Sequence, residues 1–183
     1  KNCEFPKVED FDGFIVPGSE KSIYDSLSWI IELRSFLKAI KKSKKPLFGI
    51  CFGHQLMADT FGGISGKSDV GYKVGVSRFS MKNNDFNAYI AHQDQVLKVP
   101  KEASVVGSAD YCKNAIIEYN FPAFSCQFHP EVCSHTLDGW MQIPGVPDFF
   151  EELSVNGLDE LTNSITDNLV INNKASSVLF DNW

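Results

Sequence analysis

No stretch of this 183-residue chain approaches the ~20 consecutive apolar residues needed to cross a bilayer. Its first residues lack the charged, apolar and small-residue regions of a secretory leader. Positive charge is in deficit, with 17 Lys and Arg against 23 Asp and Glu and a formal net charge of −6. An acidic surface of this kind offers little to nucleic acid or to an anionic membrane, so neither is expected as a partner. Internal repeats and low-complexity linkers are missing. Cysteine is sparse: five residues, an odd number with no tight spacing, give no disulfide framework and point to a reduced, cytoplasmic setting. What is there suits a packed core: 43% of residues are hydrophobic, 13% are aromatic and fifteen are Phe. The length is that of one domain.

The chain alternates between strand and helix patterns. Phe14-Ile15-Val16 is a short apolar run stopped by Pro17-Gly18-Ser19. Residues 27–42 predict an amphipathic helix, with Leu33, Phe36, Leu37 and Ile40 on one face and Lys38, Lys41 and Lys42 toward the negative end of its dipole. Leu47-Phe48-Gly49-Ile50 predicts a buried strand, and residues 54–61 a helix closed by Gly62-Gly63. Further strands are expected at 74–76, 88–91, 115–119 and 123–128, and a last helix at 158–169. This order predicts a three-layer α/β/α, flavodoxin-like domain with a mainly parallel central sheet plus antiparallel strands.

Between the strand at 47–50 and the following helix lies Gly49-Ile50-Cys51-Phe52-Gly53. A lone cysteine is most often a packing thiol. Glycines on both sides of a strand-to-helix turn change that reading, because such a turn lifts a nucleophile above the sheet edge and sets it at a helix N-terminus. The backbone N–H of Phe52 would then face a developing oxyanion, with Gly18 or Ser19 supplying a second donor. A thiol nucleophile needs a base, and the base an orienting group. His129 ends the apolar run at 123–128, at a strand's C-terminal edge, where open α/β sheets bind ligands. Pro130 stiffens the turn after it, and Glu131 stands two residues on, able to fix the imidazole tautomer.

The other histidines fit less well. His54, three residues past Cys51, is expected to be structural. His92, in His92-Gln93-Asp94, is the rival base, but Asp94 stands on no stiff turn, so His92 is assigned to the pocket wall or a substrate contact. His135 is expected at the surface. Cys126, His129, Cys133 and His135 have a knuckle-like spacing and raise the alternative of a zinc-binding interaction domain, although the spacing fits no common finger.

Taken together, Gly49-Ile50-Cys51-Phe52-Gly53-His54-Gln55 and Phe128-His129-Pro130-Glu131 resemble the class I glutamine amidotransferase family. Phe14-Ile15-Val16-Pro17-Gly18-Ser19, Gly71-Tyr72-Lys73-Val74-Gly75 and His92-Gln93-Asp94 are similar to its other landmarks, in the right order. The similarity runs over about residues 12–131 and is nearest to the GMP-synthase-like branch that includes γ-glutamyl peptidases. It implies a glutaminase-type Cys51-His129-Glu131 triad working through a γ-glutamyl thioester, with no metal or organic cofactor. By the same resemblance Gly18, Ser19 and Phe52 are oxyanion donors, and Gln55, Tyr72, His92, Gln93 and Asp94 line the substrate site. The implied substrate is glutamine or a γ-glutamyl compound, hydrolysed by a stand-alone peptidase or by a subunit passing ammonia to a synthase; a catalytically inactive binding relative is the further alternative. Ser19 stands where many members carry a second glycine. The family's first strand is expected to be missing before Lys1, and residues 135–183 match no landmark of what is otherwise one domain, 1–183.

Overall fold

The computed structural model describes residues 5–132, 139, 142, 144 and 175–179. The expectations for Cys133, His135 and the helix at 158–169 lie outside the described residues. Nine strands and two α-helices are described between residues 5 and 132: β1 (Phe14–Val16), α1 (Ser28–Ser43), β2 (Leu47–Ile50), α2 (Phe52–Thr60), β3 (Ile64–Lys67), β4 (Lys73–Met81), β5 (Asn84–His92), β6 (Asp94–Lys98), β7 (Ala103–Ala109), β8 (Cys112–Tyr119) and β9 (Ala123–Cys126). Seven strands form one mixed sheet in the order β1-β2-β9-β8-β7-β4-β5, and β3 pairs with β6 in a separate ribbon. β1, β2 and β9 are mutually parallel, and the pairings from β9 through β8, β7 and β4 to β5 are antiparallel. The α/β class is as the sequence implies, but the sheet is mixed and not mainly parallel: only β1–β2 and β2–β9 pair in parallel, because the long β4–β5 and β7–β8 hairpins extend it with antiparallel strands.

Alternation sorts the parallel strands between two cores. On β2, Leu47 joins the core beneath α1 and α2, whereas Phe48 and Ile50 join the core on the opposite face. On β9, Ala123 and then Phe124 and Cys126 divide in the same way. Strands buried on both faces read as unbroken apolar runs, which is why 47–50 and 123–128 were visible in the sequence. Burial of each large side chain here contributes on the order of 2 kcal/mol. The second face is covered in part by helical residues 175–179, whose Ala175 and Leu179 enter that core. The result is helix, sheet and helix in three layers.

Both helices end by recognisable chemistry. α1 buries Ile30, Leu37 and Ile40, carries Lys41 and Lys42 in its last turn, and closes with Lys44 in the left-handed region at φ 56°. After α2, Gly62 takes φ 102° and donates to Asp59 O at 3.2 Å, while Gly63 donates to Ala58 O at 2.8 Å. That pair of reversed bonds satisfies the last carbonyls and explains the Gly-Gly stop.

Candidate active site

Cys51 is the corner between β2 and α2, at φ 51° and ψ −101°. A side chain held there stores on the order of 1–3 kcal/mol of strain, which its surroundings must enforce. The two flanking glycines allow the enforcement. A Cβ on Gly49 would lie 2.5 Å from Met57 Sδ and 2.8 Å from the Gly53 carbonyl carbon, and a Cβ on Gly53 would collide with the Val16 carbonyl oxygen. Bare glycine therefore lets β2, α2 and β1 close up on one another. The corner is fastened by the Cys51 N–H to Cys126 O (2.9 Å) and by the Gln55 N–H to Cys51 O (3.0 Å). Phe52 opens α2, so helix geometry gives its N–H no intrahelical acceptor. Its ring is buried beside Trp29.

The three sequence motifs meet because β1, β2 and β9 are adjacent and parallel, with Val16 opposite Gly49 and Ile50 opposite Cys126. Their C-terminal ends deliver Gly18, Cys51 and His129 to one place. A Cβ on Gly18 would stand 3.0 Å from His129 Cε1 and 3.7 Å from Cys51 Cβ. His129 is pinned by its N–H to Tyr89 O on β5 (2.8 Å), and the following turn by Ser176 Oγ donating to Pro130 O (3.0 Å). Its Nδ1 donates to Glu131 Oε1 at 2.7 Å, which leaves the buried Nε2 as the ring nitrogen available to the Cys51 side chain nearby. Burial disfavours charge on this imidazole, but the Cys51 sulfur, as charge and as hydrogen-bond partner, and then Glu131 outweigh it and carry the pKa up to about 10. The ring thus lies between the Cys51 sulfur and the Glu131 carboxylate.

Two further groups meet the sulfur. The thiol reaches Ala91 O on β5 at 3.9 Å, and Gln127 Nε2 donates to Cys51 Sγ at 3.7 Å. Gln127 is fully buried, and its Oε1 accepts from Gln55 Nε2 at 3.3 Å. Gln55 Nε2 also donates to Asp94 O at 2.8 Å. The sequence reading placed Gln55 at the site and missed Gln127. The available signal was a lone amide between Cys126 and His129 in an otherwise apolar run.

The His92-Gln93-Asp94 segment forms the adjoining wall. His92 Nδ1 donates to Asp94 O (3.0 Å), and Nε2 accepts from the Tyr111 hydroxyl (3.2 Å). Burial brings the His92 pKa down to about 4, against the hydrogen bond to Asp94 and with the His129 charge adding to the drop. With both nitrogens engaged and the ring neutral, His92 is built as wall. Asp94 is 4% exposed, and its carboxylate accepts from Ser22 Oγ (2.9 Å) and Tyr24 OH (3.2 Å), so this acid is firmly held and not the loose group the sequence suggested. Gln93 O accepts the Ser68 N–H (3.0 Å), anchoring the turn that carries Tyr72. Burial raises the Tyr72 pKa, with the Cys51 and Asp94 charges adding to it, which sets this half-exposed ring at the mouth beside both. Ser19 is exposed, and its hydroxyl takes the Lys21 N–H at 3.1 Å.

His54 is a structural clasp. Its Nε2 donates to Asn114 O (3.0 Å), so Nδ1 accepts from Ser125 Oγ (2.8 Å), which in turn accepts from Tyr119 OH (3.2 Å). Burial brings its pKa down to about 3 and keeps it neutral. Burial likewise raises the thiols of Cys112, to about 12, and of Cys126. Among the described residues no group of three or more His, Cys, Asp or Glu could hold a metal ion, and no helix is long and apolar enough to cross a membrane. Of the knuckle-like set, Cys126 directs its sulfur to Phe128 O (3.4 Å), and Cys133 and His135 lie outside the described residues.

Known proteins share both sequence and fold with this chain. The chain is 34% identical to gamma-glutamyl peptidase 2 of Arabidopsis thaliana over 143 residues, covering 70% of this chain and 58% of that protein. It is 35% identical to a glutamine-hydrolyzing GMP synthase subunit of Methanocaldococcus jannaschii over 106 residues, covering 53% of this chain and 56% of that one. The match thus spans less than two thirds of the length of either relative. A glutamine amidotransferase crystal structure from Thermotoga maritima superposes with a TM-score of 0.83 over 98% of this chain and 80% of its own, at 20% identity, and so shares the fold. The sequence profile described as glutamine amidotransferase class-I matches residues 2–141, and the chain belongs to that family.

Proposed function

We propose that this chain hydrolyses the γ-carbonyl linkage of glutamine or of a γ-glutamyl compound through a thioester on Cys51. The observation that carries the reading is the meeting of Cys51, on a strained strand-to-helix corner, with the His129 ring that Glu131 holds by a hydrogen bond. Cys51, as thiolate, attacks the γ-carbonyl carbon. The oxyanion draws on the Phe52 N–H and on the backbone around Gly18. His129 gives the proton on Nε2 to the departing nitrogen, the C–N bond breaks, and ammonia or an amine leaves a γ-glutamyl thioester. Water then attacks the thioester, His129 takes its proton, and glutamate departs with Cys51 restored. Glu131 holds the imidazole in place and stabilises its charge through both steps. Gln55, Tyr72, His92, Gln93 and Asp94 form the wall and mouth against which the glutamyl part rests. No step calls for a metal or an organic cofactor.

The two relatives named above divide the finer reading between a free-standing γ-glutamyl peptidase and a subunit that delivers ammonia to a synthase. The longer alignment, to the peptidase, favours the first. Glutamate release by the purified chain alone, from glutamine, glutathione and other γ-glutamyl amides, tests both levels. Turnover of a γ-glutamyl peptide without a partner supports the peptidase reading; turnover of glutamine only when a synthase is added supports the subunit. No glutamate from any of them, with or without a synthase, refutes the proposal.

A further inference from the structure

The buried amide pair beside the sulfur has a determined orientation. Asp94 O is a backbone carbonyl and only accepts, so the group of Gln55 that meets it at 2.8 Å must be the NH2. The second N–H of the same NH2 points to Gln127 at 3.3 Å, which must present its oxygen there, since two NH2 groups would face each other otherwise. The remaining end of Gln127, its own NH2, therefore faces Cys51 Sγ at 3.7 Å. Gln127 is 0% exposed and Gln55 4%, so water is excluded as an alternative partner for either amide. The backbone of Gln127 is fixed as well, by its N–H to Ala115 O at 2.9 Å.

We propose that Gln127 is a catalytic residue, a fixed N–H donor that favours the thiolate form of Cys51, and that Gln55 is the positioning residue that decides which end of the Gln127 amide faces the sulfur. The sulfur then has the Gln127 N–H as a fixed donor, in addition to the proton that the His129 ring exchanges with it in the proposed reaction. The imidazolium gives its proton away during the reaction. Gln127 keeps its own, so it steadies the thiolate whenever it forms, in the free enzyme and again as thioester hydrolysis releases it. A hydrogen bond made to the charged form of a group favours that form. Other titratable groups feel the sulfur's charge: Tyr72 at the mouth, Tyr111 after β7 and Cys126 on β9. All three are raised, and His92 is lowered, so across pH 5–8 they stay neutral. His129 with Glu131, the Asp94 carboxylate, the N-terminus of α2 and Gln127 are left as the groups that set the thiolate's environment.

This inference rests on reading Cys51 as the nucleophile, but its test needs no substrate. The full chain and its Gln127→Met variant, which keeps the side-chain volume and removes the donor, are alkylated with iodoacetamide between pH 5 and 9. The Cys51 peptide is followed by mass, and folding is checked by circular dichroism. The expected result is a rate at pH 7 lower by about tenfold and a rising limb about one pH unit more alkaline, as loss of one charge-assisted hydrogen bond predicts. Glutamate release should lose about tenfold in kcat, with KM within about twofold, because the group acts on the nucleophile and not on substrate binding. Gln55→Met, which leaves Gln127 free to turn over, should slow alkylation several-fold, and it decides the matter if Gln127→Met does not fold. An unchanged rate and an unchanged limb in a folded variant overturn the proposal. A wild-type chain alkylated at Cys51 that releases no glutamate counts instead against the proposed function alone.

Discussion

His54 stays neutral in the fold, with its pKa brought down from 6.5 to about 3 by burial. Its unfolded counterpart takes up a proton once the pH falls below about 6.5. Between those limits the unfolded chain binds more protons, so stability is complete above 6.5 and declines as pH falls, by up to ~1.4 kcal/mol per pH unit. At pH 4.5 the loss from His54 is on the order of 3 kcal/mol, and His92, lowered from 6.5 to about 4, adds a similar amount. The two together rival the whole stability of a typical domain, ~5–15 kcal/mol. His129 does not contribute in this window: its raised pKa, about 10, gives stability that is present below 6.5 and lost as pH rises toward 10. Substituting His54→Phe takes the acceptor from the Ser125 O–H and the donor from Asn114 O, and should destabilise by about 3 kcal/mol at pH 8. The same substitution removes the proton uptake. The difference between the two proteins should therefore shrink toward zero near pH 4.5–5. Urea unfolding at pH 8, 6.5, 5.5 and 4.8 measures it. A difference that stays constant over that range would show that His54 is not the group held neutral.

Three further outcomes follow from the corner and the triad. Cys51→Gly should unfold at higher denaturant than Cys51→Ala, by about 1 kcal/mol, because glycine accepts φ 51° without strain; paired urea melts decide it, and equal stabilities would mean that the corner is not strained. His129→Ala should lower glutamate release by several orders of magnitude and Glu131→Gln by less, since the carboxylate orients the ring without transferring a proton itself; a larger loss for Glu131→Gln in kcat/KM would reverse those roles. Gly53→Ala should destabilise by about 2–3 kcal/mol, since its Cβ meets the Val16 carbonyl and pushes α2 off β1; a neutral effect on Tm would contradict that packing.

Much of the site was readable because it sits where local chemistry is strictest. The Cys51 corner demands small neighbours on both sides, and the Gly62-Gly63 stop demands a positive φ at Gly62, so each leaves glycines in the sequence. β1, β2 and β9 are short, and β2 and β9 are buried along their whole length, so apolar runs outlined them. Other elements hide for definite reasons. β6 begins with buried Asp94 and Gln95 and ends with exposed Leu97, which inverts the usual pattern. β7 changes register on either side of Gly107, which breaks the period-two alternation. In the outer part of β4 and β5, buried Phe79, Met81 and Phe86 alternate with an exposed polar cluster of Arg78, Ser80 and Asp85, which breaks up the apolar run. Asp94 looked loose because the hydroxyls that hold it, on Ser22 and Tyr24, come from about 70 residues away. Gln127 looked like an interruption of a strand, and its role emerges only once Gln55 and Cys51 are brought to it from β2 and α2.

The central claim is a reactive thiol at Cys51, with the described cysteines Cys112 and Cys126 inert. Incubation with an electrophilic glutamine analogue, followed by intact mass and peptide mapping, tests it directly. A single adduct on Cys51 is expected, one that excess glutamine or γ-glutamyl peptide suppresses and that His129→Ala slows severely. Adducts on Cys112 or Cys126 with Cys51 unmodified, or equal labelling with and without the competing substrate, would contradict it.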